Sequence, residues 1–139
     1  MIKKNTLNKA RQYLDHLNLS YIVETMCAES YPMPRWTRQD ANRCCLLYKN
    51  FLYLIKKHSD ENLVPTREID EFWHNHILYT RNYVNDCLNI FGHYLHHEPA
   101  MPEDNPEELI RNYQKTKQYY LEEFNEPLKL LLEESKVDA

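Results

Sequence analysis

The stretch EIDEFWHNHILYTRNYVNDCLNIFGHYLHHEP, from Glu68 to Pro99, decides how this chain folds. It holds five of the seven histidines, in two groups: His74 and His76 after Trp73, then His93, His96 and His97 after Gly92. Read as one straight helix from Thr66 to Phe91, it sets His74 and His76 about 200° apart around the axis, so they cannot chelate one ion. Asp70 and His74 stand at i and i+4 and do share a face. His76 shares a face with Thr80, Tyr83 and Cys87, but Cys87 would lie ~16 Å further along the axis. Beyond Gly92 the four residues to His96 reach back at most ~14 Å, near Tyr83 and Cys87 but short of His74. A straight helix therefore keeps the two histidine groups apart. A turn at Leu78 to Thr80 removes that objection. Thr80 is a competent N-cap residue, and Tyr79 is not needed by the apolar stripe. Such a turn folds the second segment back on the first and lets His96 or His97 approach His74 or His76.

The rest of the chain favours helices. A length of 139 residues suits one domain, and a chain of that size can bury a core without disulfide staples. Its one glycine, Gly92, argues against an all-β fold and against a glycine-rich nucleotide loop. The expectation is an all-α fold: a single compact helical domain of about five helices over residues 1–139. The net charge of −4, with lysines and arginines scattered, gives no footprint for nucleic acid. No apolar run approaches the ~18 residues of a membrane span. Cys27, Cys44, Cys45 and Cys87 form no CxxC pair, and no signal peptide is evident, so free thiols in a cytoplasmic protein are expected.

Start and stop residues divide the chain. Asn5 to Leu17 reads as a first helix, and Leu19 to Met26 as its continuation after a bend. Ala28 to Trp36, with two prolines, reads as a loop. Thr37, with Asp40 three residues on, caps a helix whose stripe is Ala41, Cys44, Cys45, Tyr48, Phe51, Leu52 and Ile55. Lys56, Lys57 and His58 close it, where cations suit the helix dipole. Thr66 caps the helix of the histidine motif, with Ile69, Trp73, His76, Ile77 and Thr80 on or near one stripe. Gly92 ends that region as a C-terminal cap. Asn105 and Pro106 open a further helix to about Phe124, with Ile110, Tyr113, Tyr120 and Phe124 inward. Pro127 restarts a short helix through LKLLLEE, and the last few residues fray.

Within the run from Leu63 to Pro99, Pro65, Ile69-Asp70, Trp73-His74, His76-Ile77-Leu78, Thr80, Tyr83, Asp86-Cys87, Phe91-Gly92, His96-His97 and Pro99 make a recognisable pattern. It resembles the glycine-rich domain-containing protein-like family in its small bacterial form. The flanking WTRQDANRCCLLYKNFLYLI and YLEEFNEP also resemble that family, so the similar core covers about residues 31–127. Where bacterial members continue with an aromatic and glycines, this chain reads Ala100-Met101-Pro102, and the tract that names the family is missing. The resemblance implies a fold and carries no activity.

Neutral imidazoles with one carboxylate match zinc, or non-haem iron in the two-histidine, one-carboxylate arrangement. The expected ligands are His74, His96 and His97, with Asp70 as a ligand or as the acceptor that orients a histidine. His76 and Cys87 are further candidates, and a Cys87 thiolate would favour zinc. Against this stands a plainer reading, in which Asp70 pairs with His74 beneath Trp73 and His76 is a satisfied core histidine. The protein would then be an interaction module with a protein partner, and Tyr31 to Trp36 one candidate surface. A third reading makes Cys87 with His96 or His97 a nucleophilic dyad, although no oxyanion-hole signature accompanies it. Cys27, Cys44 and Cys45 read as core packing, His93 as an exposed surface residue, and His16 and His58 carry no functional signal.

Overall fold

A computed structural model of the chain describes residues 4–32, 36–98 and 101–131. Six helices and no strands are found there: α1 (Lys4–His16), α2 (Ser20–Cys27), α3 (Arg38–Lys57), α4 (Arg67–Leu78), α5 (Thr80–Phe91) and α6 (Pro106–Phe124). The all-α expectation holds, and six elements replace the expected five or so because the histidine stretch divides. Met33 to Arg35, Pro99, Ala100 and residues 132–139 lie outside the described residues, and with them the end of the helix expected through LKLLLEE.

Helix α3 is the axis of the fold, touching α1, α2, α4 and α6. That explains why its buried surface is wider than its stripe. Ala41, Cys44, Tyr48, Phe51 and Leu52 are buried as the spacing requires, and Leu47, Asn50 and Leu54 are buried as well. Neighbours on several sides leave no wholly polar face, while Cys45 and Ile55 end up only partly covered. Each of the large apolar side chains withdrawn here contributes about 1.5–3 kcal/mol. The N-terminus of α3 is held by Thr37, whose hydroxyl accepts from Asp40 N at 3.1 Å, and Lys56 and Lys57 occupy its last turn. Thr66 does the same for α4, accepting from Ile69 N at 3.1 Å.

The histidine stretch turns at Tyr79 (φ −85°, ψ 70°). The Tyr79 N–H donates to His76 O, a tightened last turn, and Tyr83 N then donates to Tyr79 O to begin α5. Tyr79 leaves the helical path because its side chain is engaged elsewhere. Its ring meets Tyr21 edge-on at 4.8 Å, and its hydroxyl shares a 2.6 Å hydrogen bond with Thr25 of α2. The expected capping role of Thr80 is not found. Thr80 is the first residue of α5, Tyr79 holds the cap position, and no side chain caps it.

Helix α5 packs on α1 and α4 through Tyr83, Asp86, Cys87 and Ile90, and ends at Gly92, whose φ of 80° is strained for any other residue. Asn105 caps α6, accepting from Glu107 N at 2.9 Å. Ile110, expected inward, is 59% exposed. The first turns of α6 stand over an open cleft, and α6 reaches the core only from Thr116 and Tyr120. No helix restarts at Pro127. Residues 127–130 are irregular and helical geometry begins at Leu131. That path lets both Leu128 and Leu131 be buried, with Leu131 N donating to the buried Glu68 at 2.9 Å. Among the described residues no helix is long and apolar enough to cross a membrane.

Candidate metal centre

Asp70 lies in the first turn of α4 and His74 one turn later, so the helix places Asp70 Oδ2 and His74 Nε2 3.7 Å apart. The third member comes from the segment after α5. The break at Tyr79 lays α5 against α4, and a buried clamp then fixes the returning chain. Trp73 Nε1 donates to the Tyr83 hydroxyl at 2.9 Å, and that hydroxyl donates to Leu95 O at 2.6 Å. Two residues on, His97 lies flat on the Trp73 indole, centroids 3.9 Å apart and planes within 11°. Its Nε2 comes to 2.6 Å from Asp70 Oδ1, and its ring stands 4.9 Å from that of His74.

His97 is the unusual member. Its side chain is only 8% exposed, yet its buried Nε2 has no hydrogen-bond partner. Its one close polar neighbour is Asp70 Oδ1, an ion-pair contact whose alignment is poor for a hydrogen bond. Asp70 is 37% and His74 55% exposed. The His97 nitrogen beside it is the largest influence holding the Asp70 carboxyl below its ordinary range, helped by the charges of His97 and His74 and opposed by partial burial.

These residues fit a divalent ion. One ligand atom from each of Asp70, His74 and His97 lies within 4.8 Å of the others. Bonds of ~2.1 Å require separations of about 3.0–3.4 Å, so to close the set the half-exposed His74 ring must turn inward and the 2.6 Å contact between Asp70 and His97 must open by about half an ångström.

The other expected ligands lie elsewhere. His96 is exposed, edge-on to Tyr94 at 4.7 Å. It lines the same cleft as Asp70 and His97 but is not among the three residues whose ligand atoms converge. His76 is 1% exposed with both ring nitrogens engaged. Its Nδ1 shares a 2.7 Å hydrogen bond with the Tyr48 hydroxyl, and Asp86 Oδ2 lies 2.8 Å from Nε2. The other Asp86 oxygen accepts from Tyr13 at 2.7 Å. Cys87 is buried and outside the set. Burial pushes its thiol up, against smaller opposing effects from the Leu95 backbone and the Tyr83 hydroxyl, so the thiolate that a dyad needs is disfavoured.

Sequence reasoning missed the relay Tyr13–Asp86–His76–Tyr48 and the clamp Trp73–Tyr83–Leu95. One signal for the first was available: Asp86 sits between Tyr83 and Ile90 on the apolar stripe of α5, where a carboxylate needs a buried partner. At the Tyr31–Trp36 loop, Glu71 accepts from the Tyr31 hydroxyl at 2.5 Å and from Trp36 Nε1 at 2.7 Å, so those polar groups are spent on α4.

The comparisons with known proteins agree with the sequence resemblance. The family model described as UCP032817-like matches residues 9–126. Two proteins of Arabidopsis thaliana are similar over 55 residues: glycine-rich domain-containing protein 1 at 40% identity and glycine-rich domain-containing protein 2 at 42%. That span is 37% of this chain and 7% of each plant protein, so the match is to a small part of much longer chains. No solved structure matches.

Proposed function

The chain belongs to the UCP032817-like family, and from the geometry of its own residues we propose that it binds one divalent metal ion, zinc or iron(II), through Asp70, His74 and His97. The observation that carries this is the convergence of one ligand atom from each of Asp70, His74 and His97 within 4.8 Å, with His97 held flat on the Trp73 indole. Two imidazoles and a carboxylate suit both ions, and three protein ligands leave at least one position open. The competing reading is that Asp70 and His97 merely pin the return segment to α4. Elemental analysis after gentle purification separates the two, joined by calorimetric titration of the chelator-treated protein with zinc and, without air, with iron(II). One equivalent of metal, lost in His97→Ala, supports the site. A metal-free protein that binds neither ion and whose melting ignores chelators ends the proposal.

A second reading, an interaction module, draws on exposed apolar side chains. Leu78 at the end of α4 and Val84 and Leu88, one turn apart on α5, are 76%, 41% and 54% exposed. The partner it implies is a protein with a complementary apolar face. A partner recovered by the wild type and lost with Leu88→Asp favours it; equal recovery by both counts against it.

A further inference from the structure

A cleft of about 910 Å³ opens beside Asp70 and His97, within the usual size range of small-molecule sites. One wall combines Val64 and Pro65 with Asp70 and Trp73 of α4. The other is the returning chain, with His97, Met101 and Asp104, then Leu109 and Asn112 of α6.

The second wall is held at its ends. Asp104 and Asn105 bond within it, to Met101 N at 2.6 Å and Glu107 N at 2.9 Å. Among the described residues no hydrogen bond or ion pair ties residues 101–112 to α1–α5 or to the opposite wall. Downstream, Thr116 Oγ1 accepts from Val64 N at 3.0 Å, and Lys115 Nζ pairs with Glu61 at 2.9 Å. Upstream, the fixed points are Leu95, whose carbonyl accepts from Tyr83, and His97, stacked on Trp73 beside Asp70. The last of these contacts is a weak one on its own. Asp70 is 37% exposed, and ion pairs open to water contribute little.

We infer that the metal ion is the clasp of this wall: when bound it keeps residues 101–112 closed over the cleft, and when absent it lets them open. The inference rests on the metal reading above and adds what the ion controls, which is entry to the cleft. Asp70 and His74 belong to α4 and His97 to the returning chain, so an ion on all three bridges the two walls. A conformation in which His97 has left Asp70 offers the ion one ligand fewer. The ion therefore favours the closed form by its difference in affinity for the two. Residues 101–112 contribute nothing to the Asp70 triad, so an effect of metal on them has to pass through the His97 anchor.

Hydrogen exchange of the intact protein, followed by mass spectrometry with zinc and after chelation, tests this. Saturating zinc is expected to slow exchange across residues 101–112 by at least roughly tenfold. Thr116→Val removes the far anchor and touches no ligand atom. It should speed exchange across the same residues while zinc still binds one to one. If zinc binds one to one yet slows only the residues around His97, or if Thr116→Val leaves exchange across 101–112 as it was, the clasp is overturned and the metal site stands. If no zinc binds, both fall.

Discussion

His97 Nε2 stands 2.6 Å from Asp70 Oδ1, although the break at Tyr79 and the whole of α5 lie between them in the chain. Two features bring them together. The break lets α5 double back along α4, and the Tyr83 hydroxyl holds Leu95, two residues before His97. The strongest consequence concerns Asp70.

Asp70→Asn keeps the shape of the side chain and removes the negative charge that an ion requires. Wild-type protein is expected to melt higher with zinc, by the equivalent of about 2.7 kcal/mol at a hundred times the dissociation constant. The Asn variant should show little or no such rise. Because imidazoles ligate only when neutral, the wild-type rise should also shrink in acid. Melting curves with and without zinc, at neutral and acidic pH, check both statements; equal rises in wild type and variant would count against Asp70 as a ligand.

Tyr83→Phe separates positioning from ligation. The hydroxyl accepts from Trp73 and donates to Leu95, so its loss strands one N–H and one carbonyl and should cost about 1–3 kcal/mol. It touches no ligand atom, yet it releases the segment that carries His97. Zinc affinity is expected to fall roughly tenfold, within the range for residues that orient metal ligands, while stoichiometry stays at one. Urea unfolding gives the first number and calorimetry the second. A destabilised variant with unchanged affinity would mean that Trp73 stacking alone sets His97.

Asp86→Ala probes the buried relay. Asp86 is 5% exposed and lies between His76 and Tyr13. Removing it leaves the buried His76 nitrogen without its acceptor, and a loss of about 3–5 kcal/mol is expected. Since none of the relay residues belongs to the Asp70 group, zinc stoichiometry of the folded fraction should be unchanged. Denaturant unfolding and elemental analysis on one preparation test this. A mild loss of stability together with loss of metal would place the relay in the site after all.

The outline was readable because its signals are local. Thr37, Thr66, Gly92 and Asn105-Pro106 each act on the backbone within a few residues, and all four cap where expected. The turn near Tyr79 was open from spacing alone, and what selects it is distant: Tyr21 and Thr25 of α2. The pairing of Asp70 with His74 follows from one helical turn. The choice of His97 over His96 does not, because it depends on where the returning segment is pinned, here at Leu95 by a tyrosine hydroxyl. Ile110 was misread for a related reason. Periodicity shows that a helix has an apolar face but not how far along its length a neighbour extends.

Tyr31 gives a prediction in alkali. Burial first, and then its hydrogen bond to Glu71, push the Tyr31 hydroxyl up from 10.0 to about 12. Below pH 10 the group is protonated in both the folded and the unfolded chain, and its contribution is fully present. Between pH 10 and 12 the unfolded chain ionises first, so unfolding is increasingly favoured and the contribution is lost. Tyr31→Phe removes this hydroxyl and its bonds to Glu71 and Asn75, costing about 1 kcal/mol near neutrality. The stability gap between wild type and variant should therefore narrow as pH rises from 10 to 12. Urea midpoints of both proteins across that interval measure it, and a gap that stays constant or widens would show that Tyr31 does not titrate as its surroundings require.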